Sequence, residues 1–404
     1  MVENSQWNEE WDTVSTKAEL VEEAEGGELY RMENAYLLVL NGDYREMGRQ
    51  YGLLLGDEIK QVRESLVEEY LAPGELTYDV LKTTVGEPYY LAKPRRHKEL
   101  LAGLAETTDI DLMELATIDE MVSVEGIMRA SGTGGLCTSA AVWGEMSRDG
   151  ATYTGRNHDF GVAWRDRLSE LGVFIVMNPA GSDYSIAAPA TIGMGSAFVD
   201  VINSGGLYMQ MNNAAASLGM YMYSDSGSLL NDICNLALDY STHDELDKTI
   251  PLLHASNAFN VLTATPEGAR YYEVSHERGI RTTPQQEGLT ARANQALDPA
   301  WGIKPLPDPA ASYSPSRRQH FIDFLNEDPS TNDDAALRAY LSRDLFVDGE
   351  MSDGSAFNQS SIPGTDEVTV WQVVTKPADL KVWWRIPTVS SWMEIDLNEY
   401  FRDN

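Results

Sequence analysis

A chain of 404 residues that is 43% hydrophobic, with 32 Gly, 9 Trp and 19 Tyr, has the make-up of a packed globular protein, not a disordered one. Lys and Arg number 30 against 63 Asp and Glu, and a formal net charge of -33 repels nucleic-acid backbones and anionic membrane surfaces. Two cysteines exclude a disulfide framework, the six histidines form no metal-spaced cluster, and no phosphate-cradling glycine loop is present.

No apolar run approaches the roughly 20 residues of a membrane-spanning helix, so no membrane insertion is expected. The acidic start, MVENSQWNEEWDTVST, is not a signal peptide. That favours the cytoplasm, unless a signal has been removed to give a secreted or periplasmic protein. An ordinary acidic soluble protein comes ahead of a salt-adapted one as the reading of the charge.

In chain order, 35–41 predicts a strand and Gly42-Asp43 a turn. Apolar residues at Met47, Tyr51, Leu54, Leu55, Ile59 and Val62 then predict a helix from Tyr44, with Asp43 as its N-cap. A second helical region spans 112–128 and runs into a glycine-rich stretch, 131–135, directly before Leu136-Cys137. The first third thus reads as helix after one strand.

From Cys137 the character changes. Short strands are predicted at 138–143, 151–155, 172–178, 197–203 and 206–213. Helices follow at 229–239 and 245–254, the latter opened by the capping-box pattern Thr242-x-x-Glu245. Strands at 260–265 and 270–274 precede a Pro- and Asp-rich stretch, 298–316, which reads as a surface connection. Helices near 317–325 and 334–341 and β-rich runs at 367–374 and 380–386 close the chain. Strands and helices in separate blocks point to an α+β fold.

The chemistry lies in Cys137-Thr138-Ser139 and, about a hairpin later, Gly155-Arg156-Asn157-His158-Asp159-Phe160. The pair resembles the cysteine branch of the N-terminal nucleophile (Ntn) hydrolases. It looks most like the acyl-coenzyme A:isopenicillin N acyltransferase-related family, with acid ceramidase, N-acylethanolamine acid amidase and choloylglycine hydrolase as cousins. Upstream, the residues from Gly42 to Gly52 are similar to that family's G-x-x-Y-x-M-G-x-Q-x-G segment, with Arg45 at the usual tyrosine position.

The resemblance implies a four-layer αββα sandwich, one domain over 1–404 made as a precursor. Self-cleavage between Leu136 and Cys137 would divide it into an N-terminal segment, 1–136, and a C-terminal segment, 137–404, that stay associated. Cys137 would then be both nucleophile and base, because a free α-amine has a pKa near 7.7–8.0. By motif match, Asp159 would hold the amine and Arg156 would favour thiolate. Gly206-Leu207 through Asn212-Asn213 is similar to the family element whose asparagine serves the oxyanion hole, and alternation lets only one of Asn212 and Asn213 face the site. Asn260, with Asn257 as competitor, resembles a second family position, and Arg317 an arginine that lies over the site.

Departures are a longer spacing from Cys137 to Gly155, Arg292-Ala293-Asn294-Gln295 where relatives carry Thr-Asn-His or Thr-Asn-Asn, and Leu136 where the penicillin-related enzymes carry Gly. Cys234, between Ile233 and Leu236, reads as a core residue. His158 holds a variable family position, which favours packing or surface, and Trp383-Trp384 reads as core and interface.

The expected activity is hydrolysis or transfer of the acyl group of a small N-acyl amide through a Cys137 thioester. It needs no cofactor or metal, although coenzyme A could serve as acyl donor, and homo-oligomerisation is left open. The negative field tilts the substrate toward neutral or cationic amides. Rival readings are a cysteine Ntn dipeptidase and an uncleaved, non-enzymatic Ntn-fold binding protein.

Overall fold

A computed structural model of the chain describes residues 13–65, 77–121, 123, 136–218, 228–253, 258–275, 279–282, 287–304, 306–308, 310–359, 361–362 and 365–402. Among the described residues two large sheets face each other. The first has seven strands in the order Val14–Ser15, Trp392–Asp396, Lys381–Arg385, Glu367–Lys376, Tyr153–Gly161, Leu136–Val142, Leu289–Arg292. The second has ten, in the order Gly279–Thr282, Gly268–Ser275, Phe259–Thr265, Tyr208–Asn213, Asp200–Asn203, Ile186–Thr191, Gly172–Pro179, Ala35–Gly42, Gly27–Met32, Glu19–Ala24.

The helices Ala310–Glu327 and Asp334–Leu341 cover the outer face of the first sheet. Tyr44–Val62 and Leu229–Asp239 cover the second, with Arg95–Thr108 packed on Tyr44–Val62. The fold is an α+β sandwich of layers helix, sheet, sheet, helix. No described helix is long and apolar enough to cross a membrane.

Alternation on the strands separates the layers. On the Leu136–Val142 strand, Ala140 and Val142 pack outward with Phe321, Leu325, Leu337 and Leu341, whereas Ala141 joins the core between the sheets. The neighbours Trp383 and Trp384 divide in the same way, Trp383 outward and Trp384 inward. Cys234, on the helix Leu229–Asp239, is a buried member of the main core cluster.

The Tyr44–Val62 helix starts at Asp43, whose side chain accepts from the Arg45 and Glu46 amides while Glu46 returns the bond to the Asp43 amide. Such a cap contributes about 1 kcal/mol. Each fully buried Met47, Tyr51 or Leu55 contributes roughly 1.5–3 kcal/mol, so the apolar stripe decides the helix and the cap its start. Gly48 explains the upstream motif. A Cβ there would lie 2.0 Å from the Leu100 carbonyl oxygen, and one on Gly103 2.0 Å from that of Arg45. Two glycines thus let the helix backbones touch. Gln50 ties the helix back to its strand, donating to the Asn41 and Glu25 carbonyls and accepting from the Asn41 amide at 2.9 Å.

Several expectations need correction. Two strands, Glu19–Ala24 and Gly27–Met32, precede Ala35–Gly42. The first is charged and exposed, without apolar alternation. It joins the second through Glu25-Gly26, both at positive φ, a hairpin turn made without the usual Asn-Gly signal. Ile186–Thr191 is a strand despite Pro189, and Leu289–Arg292 and Trp392–Asp396 are strands too short to announce themselves.

The 298–316 connection ends early, because the arginine-bearing helix begins at Ala310. Tyr313, at φ 59°, breaks the helical run, so Pro315 falls in the first turn of the part that follows, where its missing N–H costs little. The helix expected over 112–128 is Leu112–Asp119, and 124–128 lie outside the described residues, as do 131–135. The Gly155–Phe160 motif does not follow its strand but forms it, within Tyr153–Gly161.

A buried ionic cluster joins residues before Cys137 to residues after it. Lys93 Nζ lies 2.9 Å from Asp119 Oδ2, 2.5 Å from Glu120 Oε1 and 2.8 Å from Asn231 Oδ1. Asp119 in turn accepts from the Gly195 and Ser196 amides. Burial pulls the Lys93 ammonium down, but Asp119 and Glu120 outweigh it and hold the group raised and charged. Lys93→Met leaves two buried carboxylates without their cation. We expect a loss of about 3–5 kcal/mol in urea unfolding; an unchanged midpoint would show that the cluster is not a clamp.

Candidate active site

Cys137 is the second residue of the Leu136–Val142 strand, paired with Tyr153–Gly161 so that Cys137 faces His158, Ser139 faces Arg156 and Leu136 faces Asp159. The register and the two-residue period sort the motif. Arg156 and His158 project with Cys137 and Ser139 into the space between the sheets. Thr138 and Asp159 project outward, toward the Ala310–Glu327 helix.

On the inner face, Cys137 is 3% exposed and Arg156 Nη2 lies 3.0 Å from its Sγ. Arg156 is anchored across the gap by the second sheet, donating to Asp200 Oδ2 and to the Val199 and Met211 carbonyls. Tyr208 and Trp371 also donate to the Asp200 carboxylate, at 2.7 and 3.1 Å. Burial pushes the Cys137 thiol up, and Arg156 pulls against that without cancelling it. His158 is buried, stacked on Trp371 with ring centroids 4.2 Å apart and on Phe160 at 5.0 Å. Its Nδ1 is 3.5 Å from Cys137 Sγ. The packing role expected of His158 is present, together with a contact to sulfur that the motif does not announce.

On the outer face, Arg317 Nη1 donates to Thr138 Oγ1 at 2.6 Å and to Asp159 Oδ2 at 3.1 Å. Thr369 donates to the other Asp159 oxygen at 2.8 Å. Arg317 Nη2 donates to Asn294 Oδ1 at 2.8 Å, and that oxygen also accepts the Cys137 amide N–H at 3.1 Å. The Leu136–Cys137 peptide bond therefore sits where both faces converge, with its nitrogen held by Asn294.

The structure brings Cys137, Arg156, Asp159 and Arg317 together. Asn212 lies one contact further out, donating to Ser139 Oγ at 2.8 Å and to the Arg292 carbonyl at 3.3 Å. The Asn213 side chain turns away, accepting from the Ala215 amide. Asn260 lies opposite Asn212 in the ladder and donates to the Ala293 and Gln295 carbonyls, so it shapes the segment that carries Asn294. Asn257 lies outside the described residues.

Sequence reasoning assigned no role to Asn294, Asp200, Thr138 or Thr369. Asp200 had a signal, a lone carboxylate inside an apolar strand. Asn294 was visible as a departure from the family pattern, but nothing local ties it to a residue 157 positions away.

No family model and no curated protein matches the chain. Among solved structures it is similar to a mutant conjugated bile acid hydrolase from Clostridium perfringens at 12% identity and TM-score 0.44, over 66% of this chain and 93% of that one. It is similar to the N-acylethanolamine-hydrolyzing acid amidase ortholog of Caenorhabditis elegans at 14% and 0.38, over 66% and 98%. It is also similar to penicillin V acylase from Agrobacterium tumefaciens at 12% and 0.42, over 65% and 87%.

Burial pushes the Asp159 carboxyl up to about 7, with Arg317 and Thr369 opposing. An unfolded aspartate ionises near pH 3.9. Between those values the folded chain keeps a proton that the unfolded chain has lost, so this group's contribution to stability is full below about pH 4 and falls as pH rises to about 7. In a Cys137→Ala background, the melting temperature relative to an added Asp159→Asn should therefore drop between about pH 4 and 7 and level off above. A difference flat with pH would show Asp159 ionised throughout.

Proposed function

We propose that this chain is a cysteine amidohydrolase that cuts itself between Leu136 and Cys137 and then hydrolyses small N-acyl amides. One observation carries the reading. A thiol with a guanidinium at 3.0 Å belongs to the same residue whose backbone nitrogen is held by a side-chain amide at 3.1 Å. A structural cysteine needs neither partner. A nucleophile whose own nitrogen is to become a free amine needs both.

In this reading Arg156 stabilises the thiolate, and Asn294 and Asp159 receive the new amine, with Arg317 aligning both acceptors. The thiolate attacks the amide carbonyl, and Asn212 or Asn260, whose side chains face the first sheet, supplies a donor to the developing oxyanion. The amine leaves and the acyl group stays as a thioester until water removes it, or an acceptor amine does so. The segments 1–136 and 137–404 remain associated after the cut. The strand Ala35–Gly42 is interior to the ten-stranded sheet, paired in parallel with Gly172–Pro179, and the Lys93 cluster spans both segments. The acid-rich surface favours neutral or cationic amides over anionic ones.

Intact mass and denaturing gels of the purified chain should show two fragments dividing at Leu136/Cys137, and one intact chain for Cys137→Ala. A screen of neutral and cationic N-acyl amides should show amine release that falls on the order of a thousandfold or more in that variant. A wild-type chain that stays whole and releases no amine would make this a binding protein instead.

A further inference from the structure

Before it is cut, the chain lacks the base on which its later chemistry relies. The Cys137 nitrogen is then part of a peptide bond and cannot take the thiol proton. Burial keeps that thiol protonated at rest. Arg156 and Arg317 are guanidiniums, which donate and do not accept. Asp159 projects from the other face of its strand and is bonded to Arg317 and Thr369.

His158 is differently placed. It lies directly across the ladder from Cys137, with Nδ1 3.5 Å from Sγ. The same Nδ1 is 3.2 Å from Arg156 Nη2. Because the guanidinium must be the donor there, Nδ1 carries the ring's lone pair and the proton sits on Nε2. Trp371 and Phe160, stacked on the ring at interplanar angles of 23° and 27°, fix its orientation.

We propose that His158 is the general base of self-cleavage, a role that rests on the self-cleaving reading above. As Sγ bonds to the Leu136 carbonyl carbon, the Arg156 Nη2 hydrogen bond passes wholly from Nδ1 to sulfur, the S–H proton moves to the freed Nδ1 lone pair, and the carbonyl π pair moves onto oxygen. Collapse re-forms the carbonyl and breaks the Leu136–Cys137 C–N bond, and the Nδ1 proton passes to the departing nitrogen. The products are a thioester between Leu136 and Sγ and a free Cys137 amine. One water then adds, releasing the Leu136 carboxylate and restoring the thiol. Burial and Arg156 hold the ring well below its ordinary pKa, so the imidazole is neutral before the step and its cation does not persist. Once the amine exists, it can serve as base for turnover.

The test follows division of freshly synthesised full-length chain by gel and intact mass. His158→Phe keeps a flat ring between Trp371 and Phe160 and removes the nitrogen. At an unchanged melting temperature it should divide about a hundredfold more slowly than wild type. Wild-type speed in the folded variant overturns the role of His158. A wild-type chain that never divides overturns the self-cleaving reading itself, so the two failures are distinct. In the Cys137→Ala chain, the nitrogen-15 shift of His158 must also show Nδ1 without a proton. A protonated Nδ1 overturns the proposal whether or not His158→Phe folds.

Discussion

Arg156 belongs to one sheet but is held by the other. Its backbone lies in the Tyr153–Gly161 strand, while its guanidinium donates to Asp200, the Val199 carbonyl and the Met211 carbonyl across the interlayer gap. Burying such a charge costs several kcal/mol unless nearly every donor is satisfied and the partner carboxylate is itself fixed. Tyr208 and Trp371 meet the second condition by donating to Asp200. The remaining reach of the guanidinium is directed at Cys137 Sγ. Sheet packing and the placement of a guanidinium against the Cys137 sulfur therefore depend on the same ion pair, and the position of the sulfur follows from the spacing of the two sheets.

Strand alternation then divides the labour. The inner face carries sulfur, Arg156 and His158, where a low-dielectric layer strengthens each charge–sulfur contact. The outer face carries Thr138, Asp159, Arg317 and Asn294, a hydrogen-bonded set around the Cys137 nitrogen. A backbone nitrogen and its own side chain can be served from two layers because Cys137 lies near the start of its strand. A cysteine in the middle of the same strand would have its N–H consumed by the ladder.

Much of the framework was legible locally. The caps at Asp43 and Thr242 have side chains that reach only a few residues, so sequence alone locates them. The helix Leu229–Asp239 repeats its burial at the helical period, and the strand Ala35–Gly42 is a continuous apolar run ended by Asn41-Gly42. The strands that escaped notice lack such patterns. Glu19–Ala24 is an exposed edge, Ile186–Thr191 contains a proline, and Leu289–Arg292 is buried on both faces.

By itself the sequence determined the chemical parts and their order: a thiol after a glycine-rich approach, then a guanidinium and a carboxylate three residues apart in the next strand. Those relations survive folding because they lie within one hairpin. Only the tertiary structure decided that Asn212 faces the first sheet while Asn213 turns back, that Asn294 reaches the Cys137 nitrogen, that Asp200 anchors Arg156, and that His158 touches sulfur. Each depends on pairing register or on the distance between sheets. Both are set by burial summed over the whole core, which no short segment encodes.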